Sequence, residues 1–556
     1  MGSHEIAGQP DGGGAVLGDF TTTARVLPIA ALAIVIGVFA AYVAAALLKL
    51  IAFFTNLFFF QRVSDVLTTP EGHHLGPFVI VVPILGALAV GIMARFGSEK
   101  IRGHGIPEAI EAILMNGARV EPKVALLKPI SAAISIGSGG PFGAEGPIIM
   151  TGGAFGSLIA QFFHLTSAER KTLLVAGAAA GMSATFAAPV ASVILGVELL
   201  LFEWKPRSLI PVALASVTAG ALRRHILGLG PVFPVPAHTP LLGVAGLAGC
   251  VVVGLLGGVL SMLLTEGVYA SEDAFGRLPI HWMWWPALGG LVIGIGGYIF
   301  PQALGVGYDV IGQLLQGNTP LRLLVGVLLV KSTIWAVSLG SGTSGGVLAP
   351  LLMVGGALGG LEAHFLPDAG PGFWALVSMG AVLGGTMRAP LTAVVFALEL
   401  THDINVLLPL LLAVTMSYGF TVLRLKRSIL TEKISRRGYH LSCEYAVDPL
   451  EIIFAKEVMQ PLNGHATTID GVVAYPDEPL RVIVYRMAKT RRTELPVVSG
   501  GRAIGWLTLN DLLAARSRIL EAEQNRERVL GAGFLVSLGR GGSRDRSGKA
   551  EGRGAD

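Results

Sequence analysis

PIIMTGGAFGSLIAQF at residues 147–162 and PLLMVGGALGGLEAHF at residues 350–365 are one pattern written twice, with 9 of 16 positions identical. The offset of 203 extends beyond the pair. Gly137-Ser138-Gly139 returns as Gly340-Ser341-Gly342, and Lys128 returns as Lys331. At offsets of 202 and 201, Gly103-His104-Gly105 answers to Gly305-Val306-Gly307, and Ala188-Pro189 with Glu198 answers to Ala389-Pro390 with Glu399. Glycine-rich helices that look alike by chance would not hold so nearly one offset; a duplication does. The halves run over about 25–230 and 236–430. Two such halves suit a pseudo-symmetric transporter, whose site lies where broken helices of both halves meet at the bilayer midplane. Inversion of one half would follow if each crosses the membrane an odd number of times.

Composition names the solvent. Of 556 residues, 52% are hydrophobic and 14% charged, against roughly 25% charged in a soluble domain. Mean hydropathy is +0.66. The 75 glycines sit inside apolar runs without a collagen period, as in membrane helices packed through small residues. Cys250 and Cys443 are the only cysteines, so neither a disulfide framework nor a multi-cysteine metal site is expected. The net charge of +4 comes partly from polar ends and gives no argument for a nucleic-acid partner.

The first apolar run, 27–60, contains one charge, Lys49. It exceeds the ~20 residues of an upright span, so a strongly tilted helix is expected. A second run covers 76–94, and about a dozen follow to residue 423, several too short to span alone. The pattern ends in basic clusters, Arg424, Lys426 and Arg427, then Lys433, Arg436 and Arg437, which place this end in the cytoplasm by the positive-inside rule. The expected organisation is an all-α membrane domain over 25–440 and a small α/β cytoplasmic domain over 450–530. Disordered segments are expected at 1–24 and 540–556. Residues 1–24 lack a signal-peptide pattern.

Three glycine-rich breaks precede helical runs: GHGIP (103–107), GAEGP (143–147) and GGVLAP (345–350). Glycine permits the tight turn and proline suits a first helical turn. Each break should present a helix N-terminus inside the membrane, with unpaired N–H groups and about half a positive charge. That binds an anion without a lysine or arginine that would hold it too strongly. Glu145 stands at the head of one of these helices. An intramembrane carboxylate is costly and usually functional. Ionised, it can occupy an anion site itself; protonated, it can leave. The plain alternative is a helix-capping carboxylate without a transport role.

GHGIP, GAEGP and GGVLAP, in this order, resemble the GSGIP, GREGP and GGIFAP of the CLC chloride channels and chloride–proton antiporters. The resemblance runs from about residue 27 to 440. It implies two inverted repeats, a homodimer with one anion pathway per subunit, chloride and protons as ligands, and a bacterial inner-membrane location with cytoplasmic termini. It makes Glu145 the external gate. It assigns the backbone amides of Ala144 and Gly146 to an outer anion site and those of Val347 and Leu348 to a central one. Three family positions differ. The serine of GSGIP is His104, the phenylalanine of GGIFAP is Leu348, and the pore tyrosine becomes Leu430 if GYHL (438–441) is the correct anchor. Both hydroxyls that hold the central anion are then missing. His104 offers an N–H in either protonation state, unless it points away and backbone amides act alone. The inner proton-relaying glutamate of the exchangers is Leu199 here. Glu203 lies four residues on, on the same face if the helix continues, although an interfacial charge beside Lys205 and Arg207 is the simpler reading. Glu198 is paired with Glu399 by the repeat, which suggests a structural role in both halves.

VMQP (458–461), ELPVV (494–498) and GWLTLNDLL (505–513) resemble a CBS module. The resemblance implies that Thr508 and Asp511 contact a nucleotide ribose. Between Val458 and Leu513 about one module fits where two usually pair. A regulatory or dimer-stabilising domain without adenine nucleotide is therefore preferred. The first functional reading is a channel-like or loosely proton-coupled chloride pathway gated by Glu145. A coupled chloride/proton antiporter is the alternative. A membrane-bound nucleotide sensor with vestigial transport is a third reading. No nucleophile with its base and no HExxH-type metal set supports an enzyme.

Overall fold

A computed structural model describes residues 22–114, 117–228, 230–239, 243–317, 319–439, 449–462 and 471–517. The expected tail at 540–556, nearly all of the segment 1–24, and residues 518–530 of the α/β domain lie outside these. Contacts divide the chain into a membrane unit ending at Cys443 and a C-terminal unit from Glu444.

The first half of the membrane unit holds α1 (Val26–Phe60), α2 (Val81–Phe96), α3 (Ile106–Leu114), α4 (Pro122–Gly137), α5 (Glu145–Gln161), α6 (Ser167–Phe186), α7 (Pro189–Leu195) and α8 (Pro206–Ile226). The second holds α9 (Val244–Gly276), α10 (Trp285–Ile299), α11 (Tyr308–Gln316), α12 (Leu321–Gly326), α13 (Ser332–Gly340), α14 (Leu348–Glu362), α15 (Phe373–Met387), α16 (Pro390–Thr401) and α17 (Leu407–Arg424), followed by α18 (Ile429–Arg436). Among the described residues, 5 helices are long and apolar enough to cross a membrane, the first being α1. Of the others, α6 and α8 have the length, 20 and 21 residues, but not the composition, and the rest are shorter pieces, as the glycine and proline breaks predict. On α1 the small residues Ala33, Ala40, Ala41 and Ala44 are buried, while Val35, Phe39 and Tyr42 are exposed. The alanines on the inward face, beside buried Ile36, Leu47 and Ile51, allow close helix packing, and the outward apolar side chains suit lipid. The run 173–201, continuous in hydropathy, is two helices. Ala187 turns left-handed at φ 55° and α7 restarts at Pro189.

The halves are joined by reciprocal bonds. Gly143 N–H donates to the Gly346 carbonyl at 3.1 Å, and Gly346 N–H donates back to Gly143 at 2.7 Å. This isolated bridge is antiparallel, as two copies related by a two-fold axis are where they meet on it. Lys128 donates to the carbonyls of Ile101 and Gly103, each at 2.8 Å. Its counterpart Lys331 donates to those of Ala303 at 2.9 Å and Gly305 at 2.6 Å. Each buried ammonium thus staples the backbone turn that precedes a broken helix. Glu198 and Glu399 are exchanged caps. Glu198 accepts from the amides of Leu391 and Thr392 at the start of α16, and Glu399 accepts from those of Val190 and Ala191 at the start of α7. Each satisfies two orphan N–H groups and meets the positive end of a helix from the other half.

In the C-terminal unit, α19 (Pro449–Ile452), α20 (Ala455–Val458) and α21 (Leu480–Thr490) accompany β1 (Gln460–Pro461), β2 (Glu494–Ser499) and β3 (Arg502–Thr508). The strands form an antiparallel sheet in the order β1-β3-β2. Leu495, Val497 and Leu507 pack with Ile483 and Met487 of α21.

Candidate functional site

The three glycine breaks converge. Gly103 N–H donates to the Thr343 carbonyl at 3.0 Å, and Gly143 pairs with Gly346, so the turns before α3, α5 and α14 form one hydrogen-bonded knot. Two glycines make the approach possible. Gly105 has φ 90°, and a Cβ on Gly146 would collide with the His104 carbonyl. The N-termini of α3, α5 and α14 therefore meet in the interior. Ala144, Glu145, Gly146, Val347 and Leu348 are all fully buried there.

Glu145, the first residue of α5, turns its carboxylate onto α14. Oε1 accepts from the Ala349 amide at 2.8 Å. Oε2 lies over Gly143 and Gly346 and has no partner. A carboxylate oxygen thus takes the position that a helix N-terminus offers to an anion. The Lys331 ammonium acts on it electrostatically, and its own charge acts on the Tyr308 hydroxyl. The Tyr308 hydroxyl is itself buried without a hydrogen-bond partner.

His104 is 3% exposed, and its Nδ1 has no partner. Its charged neighbours are Glu108, Lys433, Lys128 and Arg437. Leu430 is buried on α18, which packs against α3 and α15. Tyr269 of α9 donates its hydroxyl to the Ile429 carbonyl and fixes the start of α18.

Glu203 does not share a helical face with Leu199. A π-helical stretch, Gly196–Leu201, ends at Phe202, whose φ of 53° is left-handed. Beyond that turn Glu203 accepts from Ser208 Oγ at 2.6 Å and pairs with Arg207 at 3.3 Å. The face-sharing expected from a spacing of four fails because the helix has already ended. Leu199 is buried and apolar.

Sequence reasoning missed Glu108. Its Oε2 caps α3 by accepting from Gly105 N–H at 2.9 Å, while Oε1 pairs with Lys433 at 3.0 Å and Arg437 at 3.3 Å. Arg437 also pairs with Glu111. These bonds clamp α18 to α3 across a separation of 329 residues. A carboxylate three residues beyond Gly105 of the break was the only local signal, and its partners carried none.

In the C-terminal unit, Thr508 and Asp511 hold each other. Asp511 Oδ2 accepts from Thr508 N at 2.8 Å and from its Oγ1 at 2.6 Å, and Oδ1 accepts from Gln460 at 2.9 Å. The Thr-x-x-Asp pattern caps the helix that follows β3 and ties it to β1. Among the described residues, no group of three or more His, Cys, Asp or Glu is placed to hold a metal ion.

Residues 85–422 match the family described as voltage gated chloride channel. The chain belongs to that family. Residues 456–518 match the CBS domain. The chain is 32% identical over 349 residues to a putative chloride channel protein ClcB-like of Ralstonia nicotianae, covering 61% of this chain and 81% of the relative. It is 31% identical over 367 residues to the H(+)/Cl(-) exchange transporter ClcA of Vibrio vulnificus, covering 63% and 78%. Among solved structures, a slow cyanobacterial Cl-/H+ antiporter shares the fold, with a TM-score of 0.64 and 23% identity over 75% of this chain and 99% of that one. The membrane unit is therefore an integral membrane anion-transport domain of this family, whose members are channels or transporters rather than enzymes. It is followed by a CBS-type domain.

Proposed function

We propose that the chain conducts chloride or a similar small anion along a path through the knot of α3, α5 and α14, with Glu145 as its gate. The observation that carries this reading is the bond from Ala349 N–H to the Glu145 carboxylate, an internal anion seated on a helix N-terminus. Protonation neutralises the carboxylate and weakens its hold on that amide, so flux should rise as pH falls. The amides of Ala144, Gly146, Val347 and Leu348 are the ligands in this reading, with His104 and the buried Leu430 beside them. The path is channel-like or loosely coupled, because Leu199 carries no proton and Glu203 is tied to Ser208 and Arg207. The exchange transporters among the relatives favour a second reading, obligate chloride/proton exchange. By family resemblance the working unit is a homodimer in a bacterial inner membrane with cytoplasmic termini. The CBS-type domain regulates or stabilises it without nucleotide, since Thr508 and Asp511 are engaged with each other.

Reconstituted liposomes test this, with anion and proton movement recorded together. Glu145→Gln and Glu145→Ala should leave flux open and remove the part of its pH dependence that the gate contributes. An unchanged pH dependence in the purified variants would refute the gate. Robust uphill proton movement on a chloride gradient would replace the first coupling reading with the second.

A further inference from the structure

A second carboxyl is buried in the membrane unit, far from Glu145. Glu362 ends α14 as the last of its 15 residues, about 21 Å along the helix from the N-terminus that meets the gate. It is 7% exposed, and neither carboxyl oxygen has a hydrogen-bond partner of good geometry. The Ser378 hydroxyl of α15, fully buried and likewise without a well-formed bond, is the polar group beside it, and among the described residues Glu362 makes no ion pair. The repeat offers no structural reason for the acid, since at the offset of 203 its counterpart is Ile159.

An ionised carboxylate between two apolar helices with no donor or cation is among the costliest arrangements a membrane protein can hold. It is relieved by a bound cation or a bound proton. A metal ion is disfavoured, because the described residues bring no set of ligands together around it. A proton needs only the carboxyl and a neighbour such as Ser378. A cleft also opens next to the carboxyl. Glu362 does not itself line this cleft, but Gly360 and Ala363 on its helix and Trp374 and Ala375 on α15 do, together with His364 and Asp368.

We propose that the Glu362 carboxyl is a second proton-binding site of the membrane unit, loaded through this cleft, and that its occupancy governs anion flux through the packing of α14 on α15. With the proton in place the seam is neutral and tight, and α14 presents Ala349 at a fixed position. When the proton leaves, the unpaired charge draws water into the seam and α14 loses that support. Flux therefore falls as pH rises, independently of the Glu145 gate.

The test uses the full chain carrying Glu145→Gln, which removes the first carboxyl. Infrared spectra at neutral pH should show a protonated-carboxyl carbonyl band that disappears on adding Glu362→Gln and shifts on adding Ser378→Ala. In liposomes, Glu145→Gln should retain a decline of flux toward alkaline pH, and Glu362→Gln, a permanently neutral isostere, should flatten it. Absence of a Glu362-dependent band overturns the proton site, and an unaltered pH profile in the double variant overturns its control of flux. Ser378→Ala keeps the carboxyl in place and supplies the spectral test if Glu362→Gln does not fold. The band does not depend on transport, so its outcome is separate from that of the Glu145 gate.

Discussion

The two halves agree at some matched positions and disagree at others, and the division is informative. Lys128 and Lys331 make the same pair of bonds, Glu198 and Glu399 exchange the same caps, and Gly143 and Gly346 bond to each other. Against these, Glu145 stands opposite Leu348, His104 opposite Val306, Glu108 opposite Val310, and Glu362 opposite Ile159. What is kept in duplicate holds backbone turns open inside the membrane. The polar side chains with an unpartnered atom at the site stand where the copy has not been kept. The duplicated part builds the frame, and the chemistry rests on departures from it.

The lysine staples give the most severe way to break the symmetry of the frame. Lys331→Met removes the donor to two buried carbonyls, as does Lys128→Met. Each lost bond to a charged donor is worth about 1.5–3 kcal/mol, so each variant should lose about 3 kcal/mol or more. Melting of the purified protein in detergent should show two large and similar decreases. A large loss in one half with none in the other would mean that the matched geometry hides unequal roles.

The exchanged caps come next. Glu198→Ala and Glu399→Ala each expose two helix N-terminal amides, and a lost cap costs about 0.5–2 kcal/mol. Glu198 also accepts from Thr392 Oγ1 at 2.6 Å, which Glu399 does not match. Glu198→Ala should therefore melt lower than Glu399→Ala, with both above the lysine variants. Equal or reversed melting points would contradict the assigned bonds.

Sequence made the frame legible because a duplication repeats residues at fixed spacing. The three breaks and the shared role of Glu198 and Glu399 could be read from offsets and glycine–proline chemistry, and the α1 span from an unbroken apolar run. The partners were not legible. That the Glu145 carboxylate reaches Ala349, 204 residues away, or that Lys433 and Arg437 close on Glu108, depends on how the halves pack. Glu203 shows the converse limit. A spacing of four means one face only while a helix lasts, and a left-handed Phe202 leaves no trace in hydropathy.

The gentlest test makes the halves more alike at one side chain. His104→Val installs the residue found at the matching position, Val306, and removes a ring whose Nδ1 is buried and unpartnered. One neutral hydrogen bond is worth about 1 kcal/mol, or about fivefold in affinity. The measurement belongs in a Glu145→Gln background, so that the gate neither competes for the site nor titrates. If the imidazole donates to the anion, calorimetric chloride affinity should fall about fivefold in His104→Val and recover in His104→Ser, which restores a donor. Anion binding and imidazole protonation must then favour each other, because linkage is reciprocal. Affinity should rise as pH falls in the His104 protein and stay flat in both variants. Lys128, Lys433, Arg437 and Glu108 surround the ring in all three proteins, so their contribution is common to the comparison. Equal affinities at every pH would place the imidazole outside the path and leave backbone amides as the only ligands.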